Sequence, residues 1–170
     1  MTGADPGFDI EFDVLASGEV LHLAKALEAV ESRSRAGARH LMSHPAVAKV
    51  ASDPRLLTIA RRWLGPSATP YRATLFDKSS GSNWLVVWHQ DTALPLRVRR
   101  EVPGWGPWSV KAGVLYAHGP ARALEGLVAL RVHLDDSLSE NGPLRVIPGT
   151  HRRGVLSDQA IQDLALRNFA

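Results

Sequence analysis

Apolar residues recur at two different periods along this chain. From Glu19 to about Arg35, Val20, Leu23, Ala24, Leu27 and Val30 fall at helical spacing, which predicts a helix with Ser17 as its N-cap and Gly37 past its last turn. A second helical region runs from about Pro45 to Leu64. Inside it Asp53-Pro54 is a fresh start, because aspartate caps and proline fits the first helical position, where its missing N–H costs nothing. Gly65-Pro66 ends it. Both stretches read as scaffolding that covers a sheet. Beyond Pro70 the period becomes two. Tyr71 to Lys78 alternates, Ser79 to Asn83 is a loop by composition, and Trp84 to His89 is a short β-prone run. Val102 to Trp108, rich in proline and glycine, predicts an ordered loop pinned by Trp105 and Trp108. Val110 to Ala117 reads as a short strand. Leu127 to Leu134 is the clearest strand: Val128, Leu130, Val132 and Leu134 make an apolar face, and Arg131 and His133 point the other way. Leu144 to Ile147 is a last strand, closed by Pro148-Gly149. Ser157 to about Arg167 reads as a terminal helix.

Helices first and short strands afterwards predict an α+β fold, with a mainly antiparallel sheet and helices on one face. A length of 170 residues suits a single domain. Its expected parts are an acidic lead-in over 1–18, a helical part over 19–65, a strand-rich core over 70–156 and a helix or tail over 157–170. The lead-in reading rests on five acids between Met1 and Glu19 with no lysine or arginine among them. No internal repeat is visible.

Composition narrows the function classes. With 45% hydrophobic and 22% charged residues the chain is not a disordered one. A net charge of +3 is no electrostatic footprint for a nucleic acid, and none is expected as a partner. No apolar run reaches the ~18–20 residues of a membrane span. The N-terminus lacks a basic region followed by an apolar core, so no secretory signal is expected, and the lack of cysteine makes a reducing cytoplasm the default expectation. There is no cysteine, which excludes disulfides, thiolate metal sites and cysteine nucleophiles together. Phosphate-cradling glycine loops and a serine nucleophile elbow are also absent from the sequence.

What remains is histidine chemistry, centred on Trp88-His89-Gln90-Asp91. On an extended strand, residues two apart project from the same face, so His89 and Asp91 converge. Imidazole and carboxylate on one point suit a divalent metal; two histidines and one carboxylate form the facial arrangement of non-haem iron oxygenases. Spacing alone equally allows a strand-end histidine bonded to its neighbour. It also allows a zinc hydrolase site of His89, Asp91 and His151. Arg97, Arg99 and Arg100, six to nine residues past Asp91, either face water or meet an acidic substrate tail.

Three blocks together are more specific. They are Lys78 to Asp91, then Leu130-Arg-Val-His-Leu-Asp-Asp136, then Asn141-Gly-Pro-Leu-Arg-Val-Ile-Pro-Gly-Thr-His151. In this order they resemble the phytanoyl-CoA dioxygenase family, over about residues 70 to 156. The resemblance implies Fe(II) and the cosubstrate 2-oxoglutarate, hydroxylation of a small-molecule substrate, and a double-stranded β-helix, the cupin-like jelly roll, with N-terminal helices packed on it. His89 and Asp91 match the first two metal ligands. Lys78 sits where members place a polar residue near the oxoacid, or is a solvated strand-end lysine. Arg131 and His133 point into the barrel mouth, where Arg131 would help hold the cosubstrate, or face water. Trp84 and Trp88 wall the substrate pocket or belong to the core, and Trp105 and Trp108 are further candidates for that pocket. Gln90, on the opposite side from the pair, is expected to bond backbone, and the loop from Pro103 to Trp108 to cap the pocket.

The chain also departs from the family pattern. Family members carry the distal histidine on a later strand, in a segment like P-L-x-x-H-x-S, with an arginine about ten residues beyond. Neither follows Gly154. His151 lies in the loop preceding that segment and is a weak third-ligand candidate. The missing arginine removes a charge-assisted clamp worth about 1.5–3 kcal/mol. Arg122, Arg145, Arg152 and Arg153 are possible substitutes. Roughly five strands stand where a jelly roll takes about eight. The expectation is therefore an incomplete barrel: a truncated product, a piece of a longer gene, or a chain that completes itself as a homo-oligomer through an open sheet edge. The alternative function is a catalytically inactive member acting as a binding or assembly module.

Overall fold

The computed structural model of the chain describes residues 5–30, 37–77, 86–139 and 142–169. They form two compact units. One takes the described parts of Met1–Ile10, Val86–Leu127 and Arg145–Ala170, the other those of Glu11–Leu85 and Val128–Leu144.

The helical unit begins with α1 (Ser17–Leu27), whose Leu23 and Leu27 are buried one turn apart. Its cap is extended Ala16, and Ser17 is the first helical residue rather than the expected cap. The Glu19 carboxylate accepts the Ala16 N–H at 2.8 Å and so does part of the work a capping side chain would do. The helix stops at Leu27, short of Arg35; residues 31–36 lie outside the described ones. Strand β1 (Ala38–Arg39) pairs antiparallel with β2 (Thr74–Leu75), Ala38 opposite Leu75. Gly37 has φ +78°, and a Cβ there would collide with the Leu75 carbonyl oxygen, so only glycine lets the two backbones meet. Of the expected Tyr71–Lys78 strand, the described residues 71–77 form a ladder at Thr74–Leu75 alone, and Lys78 lies outside the described residues.

A 3₁₀ turn at Leu41–Ser43 leads into α2 (Pro45–Ala51) and α3 (Pro54–Leu64). The break falls where the sequence places it. Asp53 accepts the Arg55 N–H at 2.9 Å, Pro54 occupies the first position, and Gly65 at φ +84° ends the helix. Arg55 then bridges two helix starts. Its guanidinium donates to both Glu19 oxygens at 2.9 and 2.7 Å and to both Asp53 oxygens at 2.9 and 2.8 Å. These bonds hold the Glu19 and Asp53 carboxyls down to about 2 and push the guanidinium above its ordinary value. Arg62 pairs with Glu11.

The expected strand Leu127–Leu134 is not formed. Residues 128–134 take no part in a ladder, and Leu130 and Val132 are 40% and 38% exposed. Alternation says which way side chains face; a strand also needs a hydrogen-bonding neighbour, and this segment has none among the described residues.

The second unit is built on a three-stranded antiparallel sheet in the order β3 (Ala93–Leu96), β5 (Val114–His118), β4 (Trp108–Lys111). β4 and β5 are the two arms of a hairpin, where the sequence reading has one strand over Val110–Ala117. Ala112 and Gly113 make the turn, at φ +50° and +79°. β3 carries Pro95 and lies at the sheet edge, where a missing N–H leaves no ladder bond unmade. Tyr116 and Ala117 of the central strand are fully buried. A short helix α4 (Ala121–Leu124) follows. The expected strand Leu144–Ile147 is irregular. The terminal helix is present as α5 (Asp158–Phe169), with Ile161 and Ala165 buried one turn apart. The fold is thus a mixed helix and sheet structure with small antiparallel sheets. No described helix is long and apolar enough to cross a membrane.

Candidate metal site at His89 and Asp91

Residues 86–92 belong to the unit of the three-stranded sheet without joining a ladder, yet from Val87 on burial alternates along them. Val87, His89 and Asp91 are exposed, Trp88 and Gln90 are half-buried, and Thr92 is 8% exposed. His89 and Asp91 therefore share the outward side, as the spacing predicts, and His89 Nε2 lies 3.8 Å from Asp91 Oδ1. Their side chains are 53% and 88% exposed, so an ion can reach both.

The ring of His89 is oriented. Its Nδ1 lies 2.8 Å from the Val87 carbonyl oxygen. A carbonyl only accepts, so Nδ1 carries the proton. In the neutral ring Nε2 then presents a lone pair toward a carboxylate oxygen. A cation placed between the two atoms would be held by both, and a second proton on the ring would make the contact an ordinary ion pair. A histidine that donates its other ring N–H to a backbone carbonyl is the usual form of a metal ligand. Cis ligands ~2.1 Å from a metal stand about 3 Å apart, a small rotation from the separation seen. The donor chemistry fits two of three facial ligands.

A third is not gathered. Among the described residues no group of three His, Cys, Asp or Glu side chains is placed to hold a metal. That speaks against the zinc site of His89, Asp91 and His151. His151 sits in a 3₁₀ turn, Thr150–Arg152, with Nε2 3.2 Å from Asp5 Oδ2. Arg152 donates to the same oxygen at 3.0 Å, so it too is occupied. The Gly7 N–H, bonded to Asp5 at 2.8 Å, is the main cause that lowers the Asp5 carboxyl below its ordinary range.

The other sequence-selected residues scatter. Lys78 and Trp84 lie outside the described residues. Arg131 and His133 are exposed, in the helical unit. Trp105 and Trp108 are half-buried, and Trp108 has its indole N–H buried without a partner among the described residues. The loop that carries them lines a cavity of about 580 Å³ through Gly104, Gly106 and Pro107, opposite Thr92, His118 and Pro120, and neither tryptophan is among its lining residues. Arg97 and Arg100 are exposed; Arg99 pairs with Glu101 at 2.8 Å. Arg122 and Arg153 are exposed too. Arg145 is spent on aromatic faces, its guanidinium 4.3 Å from the Phe169 ring centre and 5.4 Å from that of Trp88.

Gln90 bonds backbone, as expected. Its amide donates to Gly154 O at 2.9 Å and accepts from Leu156 N at 2.7 Å. Sequence reasoning missed two anchors beside it. Thr92 Oγ1 lies 2.6 Å from His118 Nδ1, and Trp88 stacks on Phe169 at 4.7 Å with 15° between planes. Alternation through Thr92 points these side chains inward, but nothing local in the sequence names their distant partners.

Residues 21–167 match the family described as phytanoyl-CoA dioxygenase, and the chain belongs to that family. It is also similar to an L-proline trans-4-hydroxylase of Streptomyces griseoviridis, 26% identical over 113 residues. That stretch is 66% of this chain and 34% of the relative, so the chain spans about a third of the relative's length. No solved structure matches.

Proposed function

We propose that the chain supplies the first two metal ligands of an Fe(II)- and 2-oxoglutarate-dependent dioxygenase that hydroxylates a small molecule. Family membership supports the reaction class. The observation that carries the site is the His89 ring, held by Val87 with Nε2 turned to Asp91. When bound, iron and 2-oxoglutarate supply the activation of dioxygen and the hydroxylation of a C–H bond. The protein's part is to hold the pair, keep His89 in the Nδ1–H form and shape the surroundings. A jelly-roll core over 70–156 in a single domain belongs to this proposal, as do cytoplasmic residence and roles for Lys78 and Arg131 near the oxoacid. The hydroxylase relative makes a free amino acid or similar small polar compound the first substrate to try. The test is succinate formation from 2-oxoglutarate with Fe(II). Turnover lost in His89→Ala and in Asp91→Ala supports the assignment; turnover that persists in both contradicts it.

A second reading is an inactive assembly module. It draws on the exposed apolar side chains of unpaired β-prone stretches, Leu130 and Val132, and Leu144 and Val146 at 62% and 42%. It expects self-association in sedimentation velocity and no succinate.

A further inference from the structure

The outward pair is held from behind, and the hold reaches the last turn of α5. Trp88, Gln90 and Thr92 are successive inward residues, and each is fastened to a different element. Trp88 lies face to face with Phe169 of α5, and Arg145 covers both rings. Gln90 spends both ends of its amide on the backbone of the 154–156 loop. Thr92 bonds His118 at the end of β5, and its carbonyl accepts Gly119 N–H at 2.9 Å. His89 therefore sits between fastened Trp88 and Gln90, and Asp91 between Gln90 and Thr92.

We infer that Trp88 and Gln90 are positioning residues for the metal pair, set through α5 by Phe169 and through the loop by Gly154 and Leu156. The inference rests on the metal reading above. The physical reason is that His89 and Asp91 have almost no packing of their own. Exposed side chains on a segment without ladder bonds hold a fixed separation only if the backbone beneath them is fixed. Aromatic stacking, a cation over the rings and a doubly bonded amide do that from the inward side. Loosening them leaves both ligands present and raises the ordering that metal binding must supply.

The test is Co(II) titration of the full chain, with Co(II) as an air-stable stand-in for ferrous iron. Phe169→Ala and Gln90→Glu are each expected to weaken Co(II) binding by about 10–100-fold, the range seen when groups supporting metal ligands are removed. Gln90→Glu keeps the acceptor for Leu156 N–H and loses the donor to Gly154. Phe169→Tyr keeps the stack and is expected to bind as the wild type does. So is Leu166→Ala, on the same helix at 66% exposure. The visible Co(II) absorption should change in Phe169→Ala and not in Phe169→Tyr, a distinction that general destabilisation would not produce. Amide hydrogen exchange gives a metal-free readout: residues 86–92 should exchange faster in Phe169→Ala while β5 stays protected. Unchanged exchange there, or unchanged affinity in both Phe169→Ala and Gln90→Glu, overturns the inference while the metal reading stands. A wild-type chain that binds no Co(II) overturns the metal reading, and the positioning role falls with it.

Discussion

Arg55 grips the Glu19 carboxylate with two parallel hydrogen bonds of 2.9 and 2.7 Å, joining the first turn of α3 to the first turn of α1. The fork geometry of guanidinium suits this bidentate contact, which lysine cannot copy. Arg55 also holds Asp53, the cap of its own helix. Both carboxyls are depressed to about 2, so this contribution is complete above their unfolded values and is lost as pH falls through the folded ones. The stability difference between wild type and Arg55→Met should therefore shrink between about pH 4.5 and pH 2, as urea midpoints across that range will show. Because the network is exposed, high salt should shrink it too.

Asp53 separates capping from charge. Asp53→Asn keeps a side-chain oxygen for Arg55 N–H and loses the ion pair, whereas Asp53→Ala loses both. Helical circular dichroism during thermal unfolding should rank wild type above Asp53→Asn and Asp53→Ala lowest. Equal midpoints for the two variants would show that the cap bond contributes nothing.

Ala112 is the strained point of the β4–β5 hairpin. It sits at φ +50° beside Gly113 at +79°, a pair of positive values that asparagine–glycine adopts more readily. Ala112→Asn should stabilise the chain by about 0.5–1 kcal/mol, and Ala112→Val should destabilise it by at least as much. Chemical denaturation measures both.

Among the described residues Tyr116 is the largest side chain that is fully buried, at 1% exposure in the central strand. Its ring lies under the Lys111 ammonium, 5.1 Å from the ring centre. Tyr116→Ala should cost about 3–5 kcal/mol, while Tyr116→Phe keeps most of the packing. The urea midpoint should fall steeply in the first variant and little in the second.

Local rules made part of this fold legible. Asp53-Pro54 and Gly65-Pro66 placed the ends of α3, because capping, proline geometry and a left-handed stop are all decided within a turn of chain. Strand pairing is decided elsewhere. Val128 to Leu134 alternates more cleanly than any other stretch and forms no ladder, while Ala93–Leu96, disguised by Pro95, forms one because an edge position spares its missing N–H. The hairpin turn was hidden because alanine stands where asparagine would announce it. At the site, the shared side of His89 and Asp91 follows from two-residue periodicity, and the inward place of Gln90 with it. Phe169, His118 and Leu156 contact that segment from far along the chain, and no local pattern encodes such partners.

The central claim is that His89 and Asp91 together bind one divalent metal. Anaerobic calorimetric titration of the full chain with Fe(II) addresses it most directly. One equivalent bound by the wild type, with affinity at least about tenfold weaker in both His89→Ala and Asp91→Ala, is the result expected. Binding of equal strength in all three proteins would contradict it.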